Sequence, residues 1–165
     1  MFVKSLVLLP VLLAAACSGV SAQPTAPADN GSQWAERCKD WDDWDKPAPP
    51  FRIWGNTYYV GTCGISAILV TGTDGHVLID GGPANAAPLI AANIEALGFK
   101  LSDVKILLHS HEHHDHVGGL AELQRLTGAR LLASPAAAAA LASGAPTAED
   151  PQVGEHATFP AARVD

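Results

Sequence analysis

The sequence predicts an α/β layered domain in which a run of strands is followed by helices that alternate with strands. Three observations predict it: short β-branched runs between residues 51 and 79, apolar residues at helical spacing from residue 86, and the almost wholly apolar run Val104–Leu108. An order of this kind favours one sheet covered by helices, because each element must bury its apolar face against another layer.

The first strands are predicted from four runs rich in β-branched and aromatic residues, at 51–53, 57–60, 65–71 and 76–79. Turn-forming residues separate these runs at Gly55-Asn56, Gly61 and Thr73-Asp74-Gly75. Turns of this composition join antiparallel neighbours. We therefore expect a meander of strands in one sheet, which ends at Asp80-Gly81-Gly82-Pro83.

Helices and further strands are predicted after residue 83. Residues 86–97 place apolar side chains on one helical face and stop at Gly98. Val104–Leu108 is nearly all apolar, which is typical of a strand buried on both faces. Leucines at 120, 123 and 126 predict a helix that ends at Gly128, residues 130–133 predict a strand, and Ser134-Pro135 predicts the start of an alanine-rich helix up to residue 143.

The N-terminal segment, residues 1–22, is predicted to be a signal peptide. Lys4 precedes an apolar run at 6–16, which is shorter than the roughly 20 residues of a permanent membrane span. Small residues at Val20-Ser21-Ala22 predict cleavage and release into the periplasm. The alternative is lipid anchoring at Cys17, which is disfavoured because Ala14 stands where a larger aliphatic residue is usual.

Residues 23–50 are rich in Pro, Ala, Asp and Trp without an apolar period, which indicates an N-terminal arm lying on a domain formed by residues 51–165. Trp34 and Trp41 are expected to pack on that domain. In an oxidising compartment, Cys38 and Cys63 are expected to form a disulfide, with two separate buried thiols as the alternative. The bridge would stabilise the fold by about 3 kcal/mol in the chain-entropy model.

Charge excludes one class of function. The chain has 10 basic and 17 acidic residues and a net charge of −7, which becomes −8 when Lys4 is removed with the signal peptide. Because the basic residues are scattered, the sequence lacks the clustered Lys and Arg that bind nucleic-acid phosphates. We expect no nucleic-acid partner.

The residues that indicate chemistry lie in His109-Ser110-His111-Glu112-His113-His114-Asp115-His116, which holds five of the seven histidines. Side chains two apart in an extended segment point the same way. His111 and His113 are therefore expected to share one metal ion, and Asp115 with His116 to face a second. Imidazole and carboxylate donors fit zinc, although iron or manganese accepts similar donors. The alternative is a disordered metal-buffering tract.

The motif His111-x-His113-x-Asp115-His116, preceded by Asp80-Gly81-Gly82, resembles that of the metallo-β-lactamase superfamily. A wider match to the subclass B3 enzymes extends over the mature chain. It consists of Trp44-Asp45-Lys46-Pro47, Ala48-Pro49-Pro50-Phe51, Gly61-Thr62-Cys63-Gly64-Ile65-Ser66 and Ser110-His111-Glu112-His113. We expect a periplasmic enzyme of this kind that acts on small-molecule β-lactams.

The resemblance implies one or two zinc ions, the first held by His111 and His113 and the second by Asp115 and His116. It implies that Asp115 is also catalytic, because it orients a metal-activated water, and that no covalent acyl-enzyme forms. Trp44 and His114 are candidate substrate-pocket residues. Two further family histidines lie in segments that have no counterpart here, and His156 stands in a different context.

The resemblance also implies a fold of two similar halves, an αββα sandwich that is a monomer when complete. Residues 51–165 are expected to be the N-terminal half, with the C-terminal half missing. The chain alone is then expected to aggregate, to bind zinc weakly and to hydrolyse β-lactams little or not at all. The alternatives are another exported hydrolase of this fold, acting on a lactone or thioester, and a catalytically inert metal-binding fragment.

Overall fold

A six-stranded sheet forms the centre of the computed structural model, which describes residues 31–39, 43–150, 153–154 and 158–165. The strands are β1 (Phe51–Trp54), β2 (Thr57–Tyr59), β3 (Ile68–Val70), β4 (His76–Ile79), β5 (Val104–Leu108) and β6 (Arg130–Leu131). They are adjacent in sequence order, antiparallel from β1 to β4 and parallel from β4 to β6. The predicted meander is confirmed, but the prediction that the sheet ends at Asp80 is wrong, because β5 and β6 continue it. The predicted signal peptide with Cys17, and also Trp41 and His156, lie outside the described residues.

The helices are α1 (Ser32–Arg37), α2 (Ala87–Ala96), α3 (His114–Val117), α4 (Leu120–Thr127) and α5 (Pro135–Ser143), with 3-10 turns at Ala84–Ala86 and Leu101–Asp103. Sequence signals for the helix ends are confirmed. The Ser134 hydroxyl accepts from the Ala137 N–H at the start of α5. Gly128 and Gly144 end α4 and α5 with φ of 70° and 72°, a left-handed conformation that favours glycine.

One face of the sheet carries the core. The strand register aligns one buried residue from each of β2 to β6 in a single row, namely Tyr58, Leu69, Leu78, Leu107 and Leu131. Helices α2 and α4 cover this row with Ile90, Ile94, Leu120 and Leu123, all without exposed surface. Burial of these apolar side chains is the main stabilising contribution to the fold.

The opposite face of the sheet is also apolar but only half-buried. It presents Ile68, Val70, Val77, Ile79, Ile106 and Leu108. The prediction that β5 is buried on both faces is therefore wrong: its helix side is covered, whereas Ile106 and Leu108 keep partial exposure. The nearly all-apolar sequence suits a strand covered on both faces, but the described residues cover only one of them.

The described part of the N-terminal arm packs beside β1 and β2. The Cys38–Cys63 disulfide is formed, with a Cα–Cα distance of 5.1 Å. Trp34 of α1 contacts the rings of Phe51 and Tyr59, with centroids 6.5 and 5.6 Å away. The short helix α1 has no apolar period and was not predicted. No helix among the described residues is long and apolar enough to span a membrane.

Candidate metal centre

The histidine cluster lies at one edge of the sheet, where two parallel strands end. Asp80 follows β4, and residues 109–113 follow β5, its parallel neighbour. The Asp80 N–H donates to the Leu108 carbonyl oxygen at 3.0 Å, which joins the two strand ends. Carboxyl ends of adjacent parallel strands are where α/β sheets bring functional side chains together.

The predicted ligands lie close together. The His111 ring centroid is 4.6 Å from that of His113 and 4.1 Å from that of His116. The single turn of α3 brings Asp115 beside His116, with Oδ2 of Asp115 3.4 Å from Nε2 of His116. The structure therefore places the four sequence-predicted side chains in one cluster.

The donors contact one another rather than surround a common point. Among the described residues, no group of three or more His, Cys, Asp or Glu side chains is arranged to hold a metal ion as it stands. The donor chemistry nevertheless fits zinc, because three imidazoles and a buried carboxylate are ligands that zinc prefers.

Asp80 holds the histidine cluster in place through hydrogen bonds to Ser110 and His116. This carboxylate is buried and accepts from the Ser110 N–H at 2.7 Å, the Ser110 hydroxyl at 2.8 Å and Nδ1 of His116 at 3.0 Å. Its φ of 67° lies in the left-handed region, which is uncommon for a residue other than glycine. Asp80 thus fixes which nitrogen of His116 is bonded and which faces the cluster.

These contacts shift the pKa values of three side chains in the cluster. Burial raises the pKa of Asp80, but the hydrogen bonds from His116 and Ser110 outweigh it, so that its pKa lies below the ordinary value. The hydrogen bond to Asp80 holds the pKa of His116 above its ordinary value. Burial, together with the charges of His116 and His113, lowers the pKa of His111, which favours its neutral form.

Glycines allow the loop after β4 to approach α3. The Gly81 N–H donates to the His116 carbonyl oxygen at 2.8 Å, and the Gly119 N–H donates to the Gly82 carbonyl oxygen at 3.0 Å. A Cβ at Gly118 would lie 2.5 Å from the His114 carbonyl oxygen and 2.6 Å from the Ala84 nitrogen. This close approach couples the position of His116 to the loop that carries Asp80.

A second carboxylate reaches the cluster from a distant part of the chain. Oδ2 of Asp150 lies 3.3 Å from Nε2 of His113, and the Asp150 side chain is 5% exposed. A cavity of about 680 Å³ opens beside this contact and is bordered by Pro135, Ala136 and Ala139 of α5. The cluster thus faces a space large enough for a small molecule.

The candidate pocket residues also meet. The rings of Trp44 and His114 have centroids 5.9 Å apart, and Trp44 is 46% exposed. Trp44 and His114 are candidates for contact with a substrate. His76, which was not assigned to the site, is instead part of the fold: Nδ1 accepts from the Gly72 N–H, and its ring packs against Phe99.

Sequence reasoning missed Asp80, Ser110 and Asp150 as site residues. The Asp80-Gly81-Gly82 turn was noted, and its position after a strand that neighbours β5 was the signal for a role at the cluster. Asp150 gives no such signal, because it lies 37 positions after His113 in a Pro- and Ala-rich connection. Its contact with His113 comes from tertiary structure alone.

The chain is similar to known proteins over most of its described length. Residues 60–157 match the family described as the metallo-beta-lactamase superfamily. The solved structure of the MIM-2 metallo-beta-lactamase is similar with a TM-score of 0.77 and 64% identity, over 80% of this chain and 49% of that one. MEM-A1, a subclass B3 metallo-beta-lactamase from a soil metagenome library, has a TM-score of 0.71 and 52% identity, over 73% and 46% of the two chains.

Similarity to curated relatives is more local. A hydroxyacylglutathione hydrolase of Pseudomonas aeruginosa (strain LESB58) is 46% identical over 50 residues, which is 30% of this chain and 18% of that protein. The chain spans about half the length of the solved structures named above, and a smaller part of this hydrolase. The predicted α/β fold of this family is confirmed by these comparisons together with the sheet topology.

Proposed function

The chain belongs to the metallo-β-lactamase superfamily, and on that premise we propose that its histidine cluster is part of a zinc site that hydrolyses β-lactams in an exported enzyme. The observation that carries the proposal is the convergence of His111, His113, Asp115 and His116 at the β4–β5 edge. High identity to metallo-beta-lactamase structures over most of the chain supports the lactam rather than another substrate of the fold.

The four side chains divide into two pairs. His111 and His113 leave the end of β5 two positions apart and would hold one zinc ion. Asp115 and His116 lie on the single-turn helix α3 and would hold a second. When bound, zinc supplies an electrophile for the carbonyl and lowers the pKa of a coordinated water toward 7.

The chain's own residues supply the orientation. Asp115 is 9% exposed, and its carboxylate would accept a hydrogen bond from the attacking water and so orient it. Asp80 bonds Nδ1 of His116 and so keeps Nε2 of that ring facing Asp115. Burial and neighbouring positive charge lower the pKa of His111, which favours the neutral imidazole that a metal ligand must be.

Substrate access is proposed on the side of the 680 Å³ cavity. Trp44 and His114 would border the site from the N-terminal arm and from α3. We propose that the substrate is a small-molecule β-lactam in the periplasm. The protein would enter this compartment by export and cleavage of the signal peptide at residues 1–22. We propose that the protein acts as a monomer and without a nucleic-acid partner.

A second candidate function is thioester hydrolysis. Its support is the local similarity to hydroxyacylglutathione hydrolases, 46% over 50 residues. The same ligands and cavity suit a thioester carbonyl, because ring strain is a property of the lactam and not of the site. The shared stretch is short, and we therefore place this function second.

The test compares the two substrates in the full-length, zinc-loaded protein, by which we mean this chain together with the second half that the family fold implies. We expect kcat/KM for a chromogenic β-lactam such as nitrocefin to exceed that for a glutathione thioester by at least about 100-fold. The reverse order would reject the lactam proposal in favour of the thioester one. No hydrolysis of either substrate, with zinc bound, would favour an inert metal-binding protein.

Two substitutions test the assignment of residues. His113→Ala and Asp115→Asn are expected to lower kcat/KM for the β-lactam by roughly 1,000-fold or more, since each removes a metal ligand or the water-orienting group. Asp74→Asn, at an exposed turn between β3 and β4, is the matched carboxylate control and is expected to keep the parent rate. A parent-like rate in either site variant would refute the assignment.

A further inference from the structure

We propose that Asp150 is a positioning residue for His113: it accepts a hydrogen bond from the Nε2–H of that ring and thereby leaves Nδ1 as the metal-binding nitrogen. The inference rests on the proposed zinc site and adds a residue from outside its motif. It also assigns to His113 the opposite ring nitrogen from the one that His116 uses.

The contact itself is the first support. Nε2 of His113 and Oδ2 of Asp150 are 3.3 Å apart, slightly longer than an ordinary N–H···O hydrogen bond. The Asp150 side chain is 5% exposed, and that of His113 is 26% exposed. A carboxylate so buried is costly unless a donor compensates its charge, and the His113 ring lies where such a donor is needed.

The second support is how the chain holds Asp150. The Asp150 N–H donates to the Thr147 carbonyl oxygen at 3.1 Å, and the Val153 N–H donates to the Asp150 carbonyl oxygen at 3.0 Å. Both backbone polar groups of this residue are therefore held by hydrogen bonds. The connection is tied to α5 where the Phe159 N–H donates to the Gly144 carbonyl oxygen at 2.8 Å.

The third support is the parallel with Asp80. In each case a buried carboxylate contacts one ring nitrogen of a predicted ligand: Asp80 contacts Nδ1 of His116, and Asp150 contacts Nε2 of His113. A neutral imidazole has one N–H and one lone pair, so the bonded nitrogen determines which nitrogen can bind metal. His116 is then left with Nε2 and His113 with Nδ1. Carboxylates that orient metal-binding histidines in this way also raise ligand basicity.

The experiment uses the full-length protein with zinc and three variants. Zinc affinity is measured by competition with a chromophoric chelator for the parent, Asp150→Ala, Asp150→Asn and Glu149→Gln. We expect Asp150→Ala to weaken binding of one zinc ion roughly 10- to 100-fold. Asp150→Asn keeps an acceptor oxygen and should recover part of the loss. Glu149→Gln, the exposed neighbour in the same connection, should stay within about twofold of the parent.

A readout independent of affinity is the tautomer of each histidine, observed by long-range proton–nitrogen NMR of the zinc-loaded parent with labelled histidine. We expect His113 to carry its proton on Nε2 and His116 on Nδ1. A proton on Nδ1 of His113 would overturn the proposal even if Asp150→Ala did not fold. The far-ultraviolet circular dichroism spectrum of each variant checks that a change in affinity is not a loss of fold.

The outcomes separate this inference from the function it rests on. Normal zinc binding and hydrolysis by the parent, with unchanged affinity in Asp150→Ala, would reject the role of Asp150 and leave the zinc site standing. Failure of the parent to bind zinc would reject the proposed function and this inference together. Weaker binding in Asp150→Ala with partial recovery in Asp150→Asn would support both.

Discussion

Asp80 is the residue on which the geometry of the cluster most depends. It accepts three hydrogen bonds, two from Ser110 and one from His116, and it is buried at the end of β4. Through the hydrogen bond with Nδ1, it positions the ring of His116.

We expect Asp80→Ala to lower zinc affinity roughly 10- to 100-fold in the full-length protein, because His116 loses the partner that fixes its ring. Chelator competition measures the effect. Asp74→Asn serves as the control, since this carboxylate lies on an exposed turn. An affinity in Asp80→Ala equal to that of the parent would show that the backbone alone orients His116.

We expect the free energy of unfolding to depend on pH through Tyr59, which lies away from the proposed ligands. Burial raises the pKa of this phenol to about 12 from its ordinary value of 10.0. Its protonated form therefore stabilises the fold fully below pH 10. That contribution is lost as pH rises from 10 toward 12, because the unfolded chain releases the proton first.

We expect denaturant unfolding of the parent to show a steeper fall in the free energy of unfolding between pH 10 and 12 than Tyr59→Phe shows. The Phe variant has no proton to release at this position and serves as the reference. Parallel pH profiles for the two proteins would contradict the burial-driven shift.

At the scale of elements, the disulfide attaches α1 and the arm to the connection between β2 and β3. It closes a loop with a sequence separation of 25 and lies beside Trp34 and Tyr59. We expect the double substitution Cys38→Ala with Cys63→Ala to lower the free energy of unfolding by about 3 kcal/mol. Chemical denaturation measures it, with the reduced parent as the control. A loss below about 1 kcal/mol would mean that the arm is held by packing alone.

The contact between the loop after β4 and α3 gives a second element-scale prediction. Gly118→Ala would bring a Cβ to 2.5 Å from the His114 carbonyl oxygen and so displace α3. We expect lower thermal stability and weaker zinc binding. Gly128→Asn is the control, since a Cβ there meets nothing within 4 Å and Asn tolerates its φ of 70°. Equal zinc affinity in the two variants would contradict the coupling.

Most elements were predictable because their signals are local. Gly128 and Gly144 marked helix ends, and Ser134 with Pro135 marked a helix start. Helix α1 was missed because its contacts, and not its sequence period, hold it in place. Asp150 was missed for the same reason, since its partner His113 is distant in sequence. Burial of both faces of β5 was predicted because the strand is nearly all apolar. The sequence of a strand does not show which layers cover it, and one face of β5 is only half-buried.

At the scale of the whole molecule, the uncovered sheet face sets the behaviour of the 165-residue chain alone. Six half-buried aliphatic side chains lie on that face, and Trp54 beside it is 84% exposed. Apolar patches of this kind favour association. We expect the chain to self-associate in sedimentation experiments and to bind a hydrophobic dye. Val70→Thr with Val77→Thr should reduce both effects, whereas Glu95→Gln on the outer surface should not. A monomeric chain that binds no dye would contradict this expectation.

The central claim is that His111, His113, Asp115 and His116 bind zinc at the β4–β5 edge. It is tested most directly by a crystal structure of the full-length, zinc-loaded protein, with anomalous differences recorded at the zinc absorption edge. We expect anomalous peaks about 2.0–2.2 Å from the ring nitrogens of His111 and His113 and from Asp115 or His116. Peaks elsewhere in the protein, with these four side chains uncoordinated, would contradict it.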